Sequence, residues 1–453
     1  MDQVGVNVDA GPMREIPMGT LDSLPPRGGE RQGRQHPGAT TTAPRAAALT
    51  AKRSRQSPFI DRRQDMKTFN RFATRLTRPW LGILALLLGG GAAVAAPSPR
   101  GADAPPATGQ LIAHAQAQAE WINGQSAGPA TCPHKHRHGL RYSVQRLDVT
   151  RFEAFPTAIN NHGWVVGYSD TVTGVMPTLW IGSRAYDLGS LGGTVGYAYD
   201  INDAGQIVGF SNNANGVMRA FSWYRGRITP LRNLGGSPTS FSVAWGINRS
   251  GVIGGTSAVP DGSRALAVLW RKGTPRPLES LGGANSSVLR INDAGFSVGV
   301  SNDISATQHA ALWTPTGEVV DLGAEAVATD INNSRRIVGY TFSGTTMSRP
   351  AKWYGGVRTI LPTLGGENGA IFGINEKDEA VGFSQTAIGL ERATIWFGAK
   401  PVQLDTLLDE ASQGITIDAA YAINDKGQIA AIERLPNNRV QPLVLTPRRC
   451  HGK

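Results

Sequence analysis

The stretch that decides the fold is Asp200-Ile201-Asn202-Asp203-Ala204-Gly205-Gln206-Ile207-Val208-Gly209-Phe210-Ser211, with Trp223 closing the unit twelve residues later. Asn202-Asp203-Ala204-Gly205 reads as a tight hairpin turn, because an Asn side chain can bond the backbone two residues on and Gly supplies positive φ. Gln206–Ser211 is a short β-branched run of the kind that makes a strand, and a second run ends on Trp223. The same marks recur. Ile-Asn pairs place Asn at 160, 202, 248, 292, 332, 375 and 424, with spacings of 42, 46, 44, 40, 43 and 49. A Trp follows 20 to 22 residues later at 180, 223, 270, 313, 353 and 396, with Leu445 in the last slot. Seven residues after each Asn stands Gly167, Gly209, Gly255, Gly299, Gly339 or Gly382, and Ala431 in the seventh unit.

Units of this length with four short strands each are the period of β-propeller blades. The expected fold is therefore all-β: a seven-bladed β-propeller of four-stranded antiparallel meanders over residues 141–447. The seventh unit ends at VQPLVLTP without a fourth strand, while Arg141–Val149 has the fourth-strand pattern and no unit of its own. The N-terminal strand is expected to complete the last blade and close the ring. The strings ITPLRNLGG, PRPLESLGG and VRTILPTLGG are read as fourth strands. Arg335 and Asp378 stand where five other turns have Gly, so those two hairpins are expected to be strained or differently turned.

The repeated residues are expected to be architectural. Burying one Trp removes roughly 200 Å² from water, an upper bound of about 5 kcal/mol at about 25 cal/mol/Å², which favours packing between blades over sugar-stacking platforms. The strand glycines mark close approach of another group, for which the Trp of the same or a neighbouring blade is the expected partner. A four-residue hairpin cannot supply the six to eight oxygens of a calcium site, so the Asn-Asp and Asn-Asn pairs are read as turn chemistry.

The remaining chain reads in segments. From Met66, a basic stretch, an apolar run from Trp80 to Val94 and small residues at Ala93 and Ala95 give residues 66–95 the layout of a secretory signal peptide. Residues 1–65 are Arg-, Pro- and Gly-rich, and read as a start-site artefact or a disordered extension. Residues 96–140 are a Pro/Ala-rich linker, and 448–453 a tail carrying Cys450. Cleavage would leave no membrane span, and localisation is expected to be secreted, periplasmic or at the outer surface. The net charge of +11 is carried largely by the leader: residues 1–95 hold 14 Lys/Arg against 7 Asp/Glu, leaving 31 against 27 for the rest. That small excess, with no lysine stripe, excludes a nucleic-acid footing.

Cys132 and Cys450 flank the two ends of the repeat region, and are expected to meet as a disulfide that latches it. The alternative is a metal held by Cys132, His134, His136, His138, Cys450 and His451, whose spacing matches no zinc signature. No cofactor is expected. Four residues before the Trp come Arg219, His309, Arg349 and Arg392, against Met176, Leu266 and Gln441 elsewhere. Equivalent positions share a ring, so these four are candidates for a basic ligand-binding belt, the other reading being ordinary solvated residues.

The recurring -LGG-, the Ile-Asn-x-x-Gly-x-Val-Val-Gly-x-Ser string and His309-Ala310-Ala311-Leu312-Trp313 resemble the HAF-repeat family of extracellular repeat proteins, over residues 147 to 447. The resemblance implies secretion and a propeller-like β architecture, and it implies no activity, ligand or catalytic residue.

Two functions follow. The first is a non-catalytic binding or scaffold propeller, monomeric, that engages a glycan, matrix polymer or protein through the loops that vary between units. The second is an extracytoplasmic hydrolase or lyase with its acids and bases at the channel mouth. No nucleophile elbow, zinc triad or site-specific carboxylate pair stands out, and Asp200, Asp203, Asp293 and Asp330 fall in turns or equivalent slots. Carboxylates converging at a channel mouth favour the enzyme, and a face of variable loops favours binding.

Overall fold

The Ile-Asn marks end the first strand of each repeat. The structure, a computed structural model, describes residues 139–149, 152–344 and 347–449. These residues form 28 strands, and the hydrogen-bonded pairs sort them into four-stranded antiparallel sheets that resemble propeller blades. Repeat 2 is representative, with strands Gly192–Ile201, Ile207–Asn213, Met218–Tyr224 and Arg227–Pro230. Single parallel bridges, Val175↔Val195 and Ala265↔Asn285, join repeat 1 to repeat 2 and repeat 3 to repeat 4.

In the seventh repeat the strands Ile417–Ile423, Ile429–Arg434 and Val440–Arg449 are joined by Leu140–Arg146, which pairs antiparallel with Val440–Arg449 from Tyr142↔Pro447 to Arg146↔Leu443. Tyr142 anchors that strand by packing, almost wholly buried, on Leu404, Leu408, Leu443 and Leu445. The strand stops at Arg146 rather than running on to Val149. The fourth strands are likewise shorter than their sequence strings suggest. Arg227–Pro230, Thr274–Pro277 and Val357–Ile360 stop before the Leu-Gly-Gly triplet, which in repeats 2, 4 and 6 instead opens the next first strand. There the Leu N–H donates to the Ser two residues before the end of the second strand, as in Leu191 to Ser211, Leu281 to Ser301 and Leu364 to Ser384.

The strand glycines face a different partner from the one their sequence suggests. A Cβ at Gly167, Gly209, Gly299, Gly339 or Gly382 would overlap a carbonyl oxygen of the adjacent first strand, Tyr197 O in the case of Gly209; only at Gly255 does a Trp, Trp270, also stand close. The cause is a register shift in every first strand, between Ala198 and Asp200 in repeat 2, which bulges the backbone toward the glycine.

Five of the six Trp are fully buried. Each also donates its indole N–H to a carbonyl of the preceding repeat: Trp180 to Asp148, Trp270 to Arg232, Trp313 to Glu279, Trp353 to Leu322 and Trp396 to Pro362. Trp223 is only partly buried, at the margin of its cluster. Arg335 and Asp378 keep the turn that Gly makes elsewhere, at φ of 57° and 65°, and Lys352 Nζ holds the Asp378 carboxylate at 2.6 Å.

Candidate functional site

Antiparallel connection puts the Asn turns and third-to-fourth-strand turns at one end of the strands, and the second-to-third-strand loops with the repeat connections at the other. At the turn end the seven Asn do more than shape hairpins. Each Oδ1 accepts the N–H four residues on, as Asn202 does from Gln206 and Asn292 from Phe296. Each Nδ2 donates to the carbonyl of the next repeat's Asn: Asn160 to Asn202 at 3.3 Å, Asn202 to Asn248, Asn248 to Asn292 and Asn292 to Asn332 at 3.1 Å. Asn332 donates to Asn375 at 3.1 Å, Asn375 to Asn424 at 3.2 Å, and Asn424 returns to Asn160 at 2.8 Å.

The residues just after these Asn line one depression together: Asn161, Asp203, Arg249, Asp293, Asn333, Glu376 and Asp425. Their side chains also pass from repeat to repeat. Asp203 accepts from Asn161 N and Nδ2, Asp293 from Arg249 N and Asn333 Nδ2, and Glu376 from Asn333 N. Asp425 accepts from Glu376 N and Asn161 Nδ2, and Asn161 Oδ1 accepts from Asp425 N. Arg249 interrupts the series, since a guanidinium has no acceptor to offer the Asp203 N–H. Burial, then Asp425 and Asp293, push the Glu376 carboxyl up, against the Asn333 N–H and Arg249. Four carboxylates thus converge at this mouth, as a catalytic reading requires, yet all four accept backbone N–H groups of the neighbouring repeat.

Beneath this depression, one step before each Ile-Asn pair, stand Ala158, Asp200, Gly246, Arg290, Asp330, Gly373 and Ala422. The repeat does not account for the charges, because only three of the seven slots carry one. Asp200 accepts Ile201 N and, from the next repeat, Ile247 N at 2.8 Å; Asp330 does the same with Ile331 N and Ile374 N at 2.9 Å. Arg290 Nη1 donates to the Trp245 and Leu289 carbonyls. Burial raises both carboxyls, Asp330 to about 6, with Arg290 opposing in each case. Toward the loop end aromatic rings pack from one repeat onto the next. Tyr168 lies 4.4 Å from Tyr197, Tyr199 4.2 Å from Trp245, and Phe372 stacks on Tyr421 at 5.8 Å. Burial pushes the Tyr168 and Tyr199 phenols well up.

The loop end differs in kind. Its second-to-third-strand loops hold up aliphatic side chains, Ile304 at 87% exposure and Ile388 at 80%, with Val172, Leu390 and Met347 also exposed. Arg219, His309, Arg349 and Arg392 occupy one register position, opposite Ser211, Ser301, Thr341 and Ser384. Their surroundings differ. His309 Nδ1 meets Asp321 at 2.9 Å and Nε2 meets Asp303 at 3.4 Å, while Arg392 lies 3.8 Å from Asp405. Arg219 Nε is buried without a partner, and Arg349 is exposed. Asp303 in turn accepts Ser305 N and Thr307 N, which shapes the loop that carries Ile304. Among the described residues no group of His, Cys, Asp and Glu is arranged to hold a metal ion, and no helix is long and apolar enough to cross a membrane. Cys132, Cys450 and the histidines beside them lie outside the described residues, as does the segment read as a leader.

No family model matches the chain, and no curated protein matches it. Solved structures similar to it include TolB from Acinetobacter baumannii, with 14% identity and a TM-score of 0.37, covering 49% of this chain and 63% of TolB. A putative gluconolactonase is similar at 9% identity and a TM-score of 0.33, covering 69% of this chain and 98% of that one. A fungal lectin from Aleuria aurantia, a six-bladed β-propeller with a novel fucose recognition mode, is similar at 11% identity and a TM-score of 0.29, covering 67% of this chain and 98% of the lectin.

Proposed function

We propose that this chain is a secreted or surface-associated, non-catalytic binding propeller of the HAF-repeat kind, with seven blades closed by the Leu140–Arg146 strand. It takes its ligand on the loop face of repeats 4 to 6. Support for seven blades comes from the pairing of that strand with Val440–Arg449 and from the Asn series that returns from Asn424 to Asn160. Support for binding comes from one observation, the aliphatic side chains Ile304, Met347, Ile388 and Leu390 held in solvent on three consecutive repeats. Exposed aliphatic groups at loop tips lose free energy in water and regain it against a partner surface. Arg349 and Arg392 stand behind two of these tips, on the strands they lead into.

The ligand class this surface suits is protein. A sugar-stacking site needs an exposed aromatic face, whereas the tips of repeats 4 to 6 are Ile, Leu and Met, and the exposed rings lie elsewhere, Phe152 before the first strand of repeat 1 and Tyr224 and Tyr354 beside third-to-fourth-strand turns. The mouth carboxylates serve the opposite end, where their oxygens join repeat to repeat.

The test starts from proteins of the producing cell's envelope and culture medium, captured on the full chain and identified. The affinity of the captured partner is then compared for wild type, the Ile304→Ser/Ile388→Ser double variant and Asp203→Asn at the other end. The double variant should bind about tenfold more weakly or worse, the scale of two lost apolar contacts, and Asp203→Asn should bind as wild type. Equal binding by the double variant, or loss on Asp203→Asn with an intact fold, would reject the loop face. A parallel glycan array that bound tightly would move the ligand class to carbohydrate.

A further inference from the structure

The outermost strand of each repeat is a sheet edge, and an edge left open invites another strand. The N–H groups that point inward are fixed by Leu188 N to Pro177 O, Leu231 N to Ala220 O, Leu278 N to Ala267 O and Leu361 N to Pro350 O. Alternation then turns the residue just before each of these, and the one two further back, outward. The nearer outward positions are Asp187, Pro230, Pro277 and Ile360. In the other repeats, register with the third strand gives Asp321 opposite Ala311, Gln403 opposite Thr394 and Arg146 opposite Leu443. Six of the seven are thus Pro, charged or amide, and only repeat 5 has an aliphatic residue. The farther outward position there is Arg358, opposite Trp353, where repeats 3 and 6 have Pro275 and Pro401. Repeat 7 is shielded further, its edge bridged by Leu408 and by Asp409 N donating to Tyr142 O.

The repeat 5 edge, Val357–Ile360, is exposed at all four residues. Val357 is 68% exposed, Ile360 48%, and Tyr354 on the paired strand 57%, with the Arg336 guanidinium 4.1 Å over its ring. We infer that this edge pairs with the same edge of a second copy of the chain, antiparallel about a two-fold axis at Thr359. That register sets Arg358 opposite Ile360 of the second copy, so the two arginines do not face each other, and Thr359 lies opposite its counterpart, a favourable cross-strand pair. Arg358 and Ile360 each exchange two backbone hydrogen bonds with the other copy, four in all. Any other register either sets Arg358 against Arg358 or leaves outward groups unbonded.

The experiment is sedimentation of the full chain across micromolar to millimolar concentrations. Wild type should rise toward twice the chain mass. Ile360→Pro, which copies Pro230 and Pro277 at the same position, should associate at least about tenfold more weakly, the scale of one lost pair of backbone bonds. Ile360→Asp, which copies Asp187 and Asp321, should do the same without touching the backbone. Register is read by Thr359→Cys: at about 4.5 Å between Cα atoms of a facing non-hydrogen-bonded pair, mild oxidation should yield a covalent dimer absent from the parent chain, and Arg358→Cys should not. A wild type that stays monomeric throughout, or association that survives both Ile360 variants, overturns the inference. A Thr359→Cys chain that dimerises no more than Arg358→Cys overturns the register and with it the two-fold pairing.

Discussion

Asn424 donates its Nδ2 hydrogen to the carbonyl of Asn160, 264 residues away, at 2.8 Å. The bond explains why this slot is Asn in every repeat and never Asp, Ser or Gly, which would serve a hairpin as well. The Oδ1 shapes the turn and the Nδ2 reaches the neighbouring repeat, and only a carboxamide does both.

Replacing one Asn by Asp should therefore cost more than a turn substitution. In Asn292→Asp the turn acceptor survives, but a carboxylate oxygen now faces the Asn332 carbonyl where Nδ2 donated at 3.1 Å. The side chain is 4% exposed, so water cannot readily repair the loss. A destabilisation of about 1–3 kcal/mol is expected in urea or thermal unfolding at neutral pH. An unfolding midpoint equal to wild type would sink the donor role.

Gly209→Ala should destabilise by more than about 2 kcal/mol, because the obstacle is a backbone carbonyl, Tyr197 O, and not a side chain that can turn aside. Repeat 7 supplies the contrast. Its Ala431 faces Ala420, and the first strand there carries a register shift directly before that residue, between Ile417 and Ala419, as well as the one after it, whereas in repeat 2 the other shift lies farther off, between Gly192 and Gly196. Ala431→Gly should change stability by well under half as much as Gly209→Ala, and equal effects of the two would refute the carbonyl explanation.

Much of this fold is legible in the sequence because a repeat sets each slot against its equivalents. The Trp, Gly and Asn series, the four-stranded units and the strand-pairing partner of the last repeat were all readable from recurrence. What recurrence conceals is the identity of partners across repeats. The glycine's neighbour is a bulged carbonyl, and a bulge leaves no residue signature. The charges beneath the depression fail in the opposite way: Asp200 and Asp330 look equivalent, yet comparison with Ala158, Gly246, Arg290, Gly373 and Ala422 marks them as exceptions to the repeat. The exposed Ile304 and Ile388 lie in loops whose variability was legible, whereas their shared exposure needed the structure.

The indole bonds predict unequal responses from residues that look alike in sequence. Trp313→Phe keeps most of the buried ring but leaves the Glu279 carbonyl without its donor, formerly at 2.7 Å. A loss of about 1–2 kcal/mol is expected from the bond, with a smaller term from the reduced ring. Trp223, partly buried at its cluster margin, should tolerate Phe with a change under about 0.5 kcal/mol. Chemical denaturation of the two variants side by side decides it, and similar losses at both positions would count against the bond as the distinguishing feature.

Asp330 should make the protein less stable as pH rises through the weakly acidic range. Burial lifts its carboxyl to about 6 in the folded chain, against Arg290 and the N–H groups of Ile374 and Ile331. Unfolded, it returns to about 3.9, so between these values the folded state binds the proton that the unfolded state has released. Its stabilising share is present in full below about pH 4 and is lost as pH rises through 6. The difference is on the order of 2–3 kcal/mol, and Asp200, raised for the same reason, adds in the same direction. Asp330→Asn removes the titration while leaving Nδ2 against the Ile374 N–H, so its stability at any one pH is the poorer readout. The informative measurement is the slope of unfolding free energy against pH between pH 4 and 6.5, which should be more positive in Asp330→Asn than in wild type. Parallel slopes would mean that Arg290 and the two backbone donors already hold Asp330 ionised across the range.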